Sequence, residues 1–228
     1  IQGVPPVLAQ GQGGLLGVVA HPQFSENHLI YLAYSGAGEE GASTELIRAQ
    51  YQQGKLSNLQ KLLVATPKVE GGQHFGGRLL FDKQGYLYLT LGDRGQQELA
   101  QDTSNHAGGV VRLKDDGSIP ESNPFKNKVG AAPELFSYGH RNVQGIALNP
   151  SNGQVWTHEH GPQGGDEINI LKAGANYGWP IISYGEQYGG GSIGEGKTKQ
   201  TGMEQPLHYW TPSIAPSGMT FYSGDNYS

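Results

Sequence analysis

The sequence predicts an all-β chain folded as a β-propeller, and three observations predict it. Glycine is abundant and charge sparse: 37 glycines and 13 prolines stand beside 15 Lys+Arg and 20 Asp+Glu in 228 residues, with no low-complexity tract. That balance signals many tight turns joining short strands. Helical periodicity is almost absent. Third, LLGVVAHPQFSENHLIYLAYSG, GGRLLFDKQGYLYLTLGD and QGIALNPSNGQVWTHEHG share one pattern. Each has a glycine, an apolar strand, turn residues with Asp, Asn or His, then a second apolar strand carrying Tyr or Trp.

Each stretch reads as a β-hairpin with a period-two face. The hairpins start near Gly17, Gly77 and Gly145, and a fourth start, SGMTFYSGDNYS, falls at Gly218, giving intervals of 60, 68 and 73 residues. Such intervals suit propeller blades separated by long excursions, whereas a β-sandwich should turn every 8 to 12 residues or so. The fourth repeat stops at Ser228 after one strand and the beginning of a turn. A propeller closes by pairing its last strands with its first, and an open one leaves raw edges. Residues 1–228 are therefore expected to form a single β-propeller domain truncated at its C-terminus, with four blade starts in view.

The bulk numbers narrow the partners. A net charge of −5, a pI near 5.9 and the lack of a basic block disfavour nucleic acid and anionic membrane surfaces. No apolar run approaches the roughly 20 residues that cross a bilayer, so no membrane span is expected. The start IQGVPPVLAQ has neither a charged n-region nor a hydrophobic h-segment, which predicts a soluble chain from which any export signal has been removed. Zero cysteines exclude disulfides, thiolate metal sites and a cysteine nucleophile.

At one end of a propeller the loops converge, so glycine-rich segments preceding equivalent strands can meet in space. Gln12 precedes the first hairpin, His74 the second, and His140, Arg141, Asn142 and Gln144 the third. In GGQHFGGRL, His74 is flanked by glycines that permit unusual dihedrals and close approach of a ligand, so both a solvated turn tip and a binding floor fit. Asp93, in LTLGDRGQQ, returns along the second hairpin towards His74. A carboxylate beside an imidazole fixes its tautomer, as a general base requires, although an Asp in LGDRG also suits a turn that caps its own backbone. Arg141, with Asn142 and Gln144 in YGHRNVQG, suits a flat, oxygen-rich anion; a surface salt bridge is the plainer alternative.

EHGPQGGDEINI is acidic and glycine-rich and leads into a strand, DEINIL. Hard cations such as Ca²⁺ take carbonyl and carboxylate oxygens, making Gly161, Pro162, Asp166 and Glu167 candidate ligands without EF-hand spacing. The tripeptide His158-Glu159-His160 lacks a third ligand at recognisable spacing, and in a strand Glu159 points away from both histidines, which sets zinc aside.

Taken in order, GQGGLLGVVAHPQF, HFGGRLLF, LGDRG, VVRLKDDGSIPESNPF, ELFSYGHRNVQG, EHGPQGGDEINI, GANYGWP and TPSIAPSGMTFY resemble the soluble pyrroloquinoline-quinone-dependent aldose sugar dehydrogenases, relatives of soluble glucose dehydrogenase. The resemblance covers nearly the whole chain. It implies a six-bladed β-propeller of which this chain supplies roughly the first four blades. It implies oxidation of an aldose at C1 to a lactone: His74 is the base, the hydride passes to pyrroloquinoline quinone (PQQ), and electrons go on to an external acceptor. Asp93 would be the partner of His74, and Arg141 would stabilise charge on the quinone oxygen. Gln12, Asn142, Gln144 and Tyr188 would help seat the cofactor.

The carbonyls of Gly161 and Pro162 would bind the Ca²⁺ that grips the quinone, Glu167 and the Tyr177 backbone a second, structural Ca²⁺, with Asp166 less directly involved. A periplasmic or secreted location follows from the same resemblance. Val143 stands where the family usually has Pro, and Gly109 where it has Lys. Tyr209 and Trp210, in HYWTPS, suit either the mouth of a sugar pocket or the core. The competing expectation is a non-catalytic propeller that binds a sugar or a protein partner in the same channel.

Overall fold

A computed structural model describes residues 1–226. They form three antiparallel sheets, each of four strands paired in chain order. The first holds β1 (Leu15–Ala20), β2 (Leu29–Gly38), β3 (Gly41–Gln52) and β4 (Lys55–Val64). The second holds β5 (Leu79–Phe81), β6 (Leu87–Thr90), β7 (Val110–Leu113) and β8 (Leu135–Ser137). The third holds β9 (Val143–Leu148), β10 (Val155–Glu159), β11 (Asp166–Ile170) and β12 (His208–Trp210).

The three hairpins expected from the repeats are the first two strands of each sheet, with Val18 opposite Leu32, Leu80 opposite Tyr88 and Ile146 opposite Thr157. Their turn residues act locally. Asp82 Oδ1 accepts from the N–H groups of Gln84 and Tyr86 at 2.9 Å each, closing the β5–β6 turn with Gly85 at φ 81°. The long excursions carry the two outer strands of each sheet.

Sheets stack face to face. All four residues of β6 are buried. Leu87 and Leu89 pack in one core with Tyr31, Leu46 and Leu63 of the first sheet, while Tyr88 joins Val143, Ile146 and Val155 of the third in another. A strand covered on both faces reads as a near-continuous apolar run, which is why LYLT lacks polar alternation. Truncating Leu89 to alanine is expected to cost about 2–5 kcal/mol.

The first strands line up: β1 lies against β5, and β5 against β9. The approach is close enough that a Cβ on Gly17 would come within 2.3 Å of the Gly77 carbonyl oxygen, so only glycine fits there. Arg78 spans all three strands, donating from Nη1 to the Leu16 carbonyl at 2.6 Å, from Nε to the Gln144 carbonyl at 3.1 Å and from Nη2 to Gln144 Oε1 at 2.9 Å. The result is an all-β, propeller-like arrangement.

The expected fourth repeat needs a correction. Residues 211–226 form no strand. The Gly218 N–H reaches the Gln144 carbonyl at 3.3 Å and its own carbonyl accepts from His158 Nε2 at 3.0 Å, so the segment runs beside β9 without building a ladder. A strand needs a run of paired backbone groups, and here side chains supply much of the contact. Tyr227 and Ser228 lie outside the described residues. Among those described, no helix is long and apolar enough to cross a membrane.

Candidate active site

His74 occupies the connection between β4 and β5 with φ 54°, the left-handed region uncommon for a residue bearing a side chain. Its surroundings enforce that shape. The His74 N–H donates to Gln12 Oε1 at 2.8 Å, and the Gln12 N–H to the Gly72 carbonyl at 2.5 Å, joining the loops before the first and second sheets. Behind His74, a Cβ on Gly92 would fall 2.1 Å from the His74 carbonyl oxygen. Thr44 Oγ1 donates to the Phe75 carbonyl at 2.6 Å, and the Gly76 N–H to Asn142 Oδ1 at 3.2 Å.

Asp93, beyond the end of β6, is 1% exposed. Its N–H donates to the Arg141 carbonyl at 2.9 Å, which fixes it against the loop before β9. Its Oδ1 lies 2.6 Å from His74 Nδ1 and accepts from the Gly95 N–H at 2.8 Å, while Oδ2 accepts from Trp179 Nε1 at 2.8 Å. A carboxylate only accepts, so Nδ1 carries the proton and Nε2 is the ring nitrogen left to take one. Among the described residues Nε2 has no hydrogen-bond partner. The sequence assigned no role to Trp179; an isolated Trp in GANYGWP reads as core, and its one cue was the need of a buried carboxylate for a second donor.

His74, Asp93, Trp179, Arg141, Gln12, Pro162 and Tyr188 line one cavity of about 390 Å³. Arg141 is held from behind: its N–H donates to Glu159 Oε2 at 2.7 Å, and Nη1 donates to the carbonyls of Gly161 at 2.8 Å and His160 at 3.2 Å. Its guanidinium carbon lies 5.4 Å from the Trp179 ring centre and 6.0 Å from that of Tyr188. A fixed cation between aromatic rings suits a planar, oxygen-rich anion. Tyr188 is 72% exposed and walls the mouth.

Asn142 and Gln144 are positioned differently from His74. They line an adjoining cavity, also about 390 Å³, together with Arg78 and His160, and Gln12 belongs to both. Asn142 Oδ1 is taken up by Gly76 and by Gln144 Nε2 at 2.9 Å, so Asn142 braces the loop. Arg78 is the basic group that the sequence did not single out here. It follows GG in the repeat pattern, and only the proximity of β1 and β9 reveals what it does.

The GP loop is organised by Asp166, which accepts from the Gly161 N–H at 2.9 Å, Ser213 Oγ at 2.7 Å and the N–H groups of Ile214 and Ala215 at 2.8 Å each. Those four bonds, three of them from backbone N–H groups, leave its carboxylate fully engaged. The Pro162 carbonyl accepts no hydrogen bond among the described residues, and Gly161 keeps one lone pair beyond its bond to Arg141, so both oxygens fit a hard cation.

A third, small cavity is lined by Glu159, Gly161, Glu167 and Tyr177, among others. Loss of solvation, then the charge of Glu159, pushes the Glu167 carboxyl up to about 8, against an opposing bond from Asn169. Asn169 Nδ2 spans the two carboxyl groups at 3.2 Å and 3.1 Å, and its own Oδ1 is buried with no hydrogen-bond partner among the described residues. Glu159 Oε1 also meets His140 Nδ1 at 2.7 Å, and the His140 ring stacks on Tyr177 at 4.4 Å. Two desolvated carboxyl groups beside that amide oxygen and the Tyr177 carbonyl, which accepts no hydrogen bond among the described residues, fit Ca²⁺ chemistry.

The remaining candidates resolve simply. His158 and His160 donate to the carbonyls of Gly218 and Pro216 at 3.0 Å and 2.7 Å, and Glu159 is turned to His140 and Arg141. No group of three or more His, Cys, Asp or Glu side chains converges on a metal position among the described residues. Tyr209 and Trp210 belong to β12, where Tyr209 stacks on Tyr184 at 3.8 Å, and neither lines the His74 cavity.

The family model for glucose/sorbosone dehydrogenases matches residues 1–228. The aldose sugar dehydrogenase YliI of Escherichia coli K12 is 46% identical over 231 residues, covering 100% of this chain and 62% of the relative. The apo-form crystal structure of the soluble aldose sugar dehydrogenase from E. coli superposes with a TM-score of 0.96 at 44% identity, covering 99% of this chain and 66% of that one. The PQQ-bound form of an aldose sugar dehydrogenase from Streptomyces coelicolor gives 0.79 at 31% identity, with 96% and 60% covered. This chain thus spans less than two thirds of these relatives' length. With a match that runs from end to end and a likeness that holds in both sequence and fold, the chain belongs to the glucose/sorbosone dehydrogenase family.

Proposed function

We propose that this chain carries the active site of a quinoprotein sugar dehydrogenase that oxidises aldoses at C1 to lactones. The observation that supports it most is the buried Asp93 carboxylate orienting His74 inside a cavity walled by Arg141, Trp179 and Tyr188. Nε2 of His74 accepts the proton of the anomeric hydroxyl. Asp93 holds the ring in that tautomer and balances the imidazolium as it forms, and Trp179 holds Asp93. Pyrroloquinoline quinone, when bound, supplies the two-electron acceptor for the hydride leaving C1, as expected for a relative of a PQQ-bound enzyme. Arg141 binds and orients the electron-rich edge of such a ring, and Gln12 and Tyr188 help to seat it from the same cavity.

Asn142 and Gln144 contribute from the adjoining cavity, through Gln12 and the loop they brace. The carbonyls of Gly161 and Pro162 would hold one Ca²⁺, whose Lewis acidity polarises the cofactor; Glu167 and the Tyr177 carbonyl would hold a second with a structural role. Residues 1–228 belong to a single six-bladed propeller domain in this reading, supplying roughly its first four blades. The same reading carries a periplasmic or secreted location and an external electron acceptor. A propeller that only bound sugar or protein would have no use for a buried carboxylate fixed behind an imidazole.

The test is aldose-dependent dye reduction by the full-length protein supplied with Ca²⁺ and PQQ. Turnover above the apoprotein with glucose or another aldose is expected, and its absence across a panel of aldoses would overturn the reading.

A further inference from the structure

Arg94 follows Asp93 directly, yet its side chain leaves the cavity. It is 5% exposed, and its backbone adopts φ 56°. Nη2 donates to the Gly71 carbonyl at 2.7 Å and Nε to the Ala42 carbonyl at 3.3 Å. The guanidinium carbon lies 3.6 Å from the centre of the Phe75 ring. Gly71 and Phe75 flank His74, and Ala42 anchors the incoming chain through paired backbone bonds with Val69 at 2.9 Å and 3.2 Å.

A neutral side chain could fill this space. Burying a cation there is costly, and the cost shows: burial pulls the guanidinium down to about 10 against the opposing charge of Asp93. Nη1 is buried with no hydrogen-bond partner among the described residues. The geometry accounts for the charge's retention. One planar, multidentate group reaches the strand below the loop, the carbonyl where the loop begins and the ring just beyond His74, and none of the shorter polar side chains spans all three.

We propose that Arg94 is a positioning residue that clamps the Gly71–Phe75 loop from behind and so holds His74 Nδ1 against Asp93. The inference rests on His74 being the base, but the clamp itself can be observed without sugar oxidation. In the full-length apoprotein, the Nδ1 proton shared with Asp93 should give a downfield proton resonance, assigned by its loss in His74→Ala. His140, paired with Glu159 at 2.7 Å, supplies a second such signal as an internal control.

In Arg94→Met the His74 signal is expected to disappear or shift while the His140 signal stays; Arg94→Lys, which keeps a cation but cannot bridge both carbonyls, should shift the His74 signal less than Arg94→Met does and leave the His140 signal in place. With the cofactor loaded, Arg94→Met should lower kcat by about 10²-fold, the scale of a misplacement near 1 Å, with the KM for the sugar held. An unchanged His74 signal in Arg94→Met, or loss of both signals in both variants, would overturn the clamp. If the wild-type protein shows the signal pattern but no aldose turnover, the proposed function fails and the clamp stands.

Discussion

His74 Nδ1 and Asp93 Oδ1 lie 2.6 Å apart, and the other oxygen of Asp93 is held at 2.8 Å by the indole of Trp179, 86 residues further along the chain. The imidazole is thus oriented by a carboxylate that is itself fixed by a rigid donor. Trp179→Phe keeps the ring and removes that donor. It should lower kcat roughly tenfold with little change in KM, and lower stability by about 1–3 kcal/mol because a buried acceptor loses its partner. Steady-state kinetics with chemical denaturation of the same samples checks both effects.

Gly92 sets the height of the His74 backbone. A methyl group there would come 2.1 Å from the His74 carbonyl oxygen, and that contact cannot be relieved by rotating a side chain. Gly92→Ala should therefore displace the loop, lowering kcat by about 10²-fold. Stability should fall by roughly 1–3 kcal/mol, as for other overpacked sites. Normal activity in a folded Gly92→Ala protein would show that the loop position is not critical.

The Glu159–Glu167 pair predicts a calcium-dependent stability. Burial and the charge of Glu159 disfavour the Glu167 carboxylate until a cation joins the pair. Added Ca²⁺ should raise the melting temperature of the wild-type protein by several degrees, and chelation should reverse the rise. Glu167→Gln keeps the shape but removes the carboxylate that a cation would bind; it should be at least as stable as wild type in chelator and lose most of the calcium response. An equal calcium shift in the variant would place the ion elsewhere.

Glu45 predicts an acid-side loss of stability remote from the active site. Burial pushes its carboxyl up, but bonds from Lys61, Lys68 and Tyr34 outweigh burial and hold it below the usual range. A carboxyl with a depressed native pKa stabilises the fold above its unfolded pKa, near 4.3, and that contribution disappears as pH falls through the native value. Unfolding free energy should decline on acidification below about pH 5, and Glu45→Gln should flatten part of that decline at a cost of about 2 kcal/mol at neutral pH. Urea titrations across that range decide the matter.

Local features made the hairpins legible: LLGVVA, LLF and QGIAL are bounded by turn residues that cap their own loops, as Asp82 does. The outer strands were harder to see. β3, GASTELIRAQYQ, alternates weakly because much of it is buried on both faces while still carrying Thr44 and Glu45. His74, Asp93 and Arg141 could be named because each ends or opens an equivalent strand. Trp179, Arg78 and Arg94 could not: each acts through partners 19 or more residues away, and nothing in its own neighbourhood reports them. The fourth start at Gly218 had the right pattern but no ladder to join.

His74→Ala in the full-length protein, loaded with PQQ and Ca²⁺ and mixed with excess aldose in a single turnover, tests the central claim most directly. If His74 is the proton acceptor, reduction of the bound quinone should slow by about 10³-fold while quinone affinity is preserved. Reduction at the wild-type rate would contradict it.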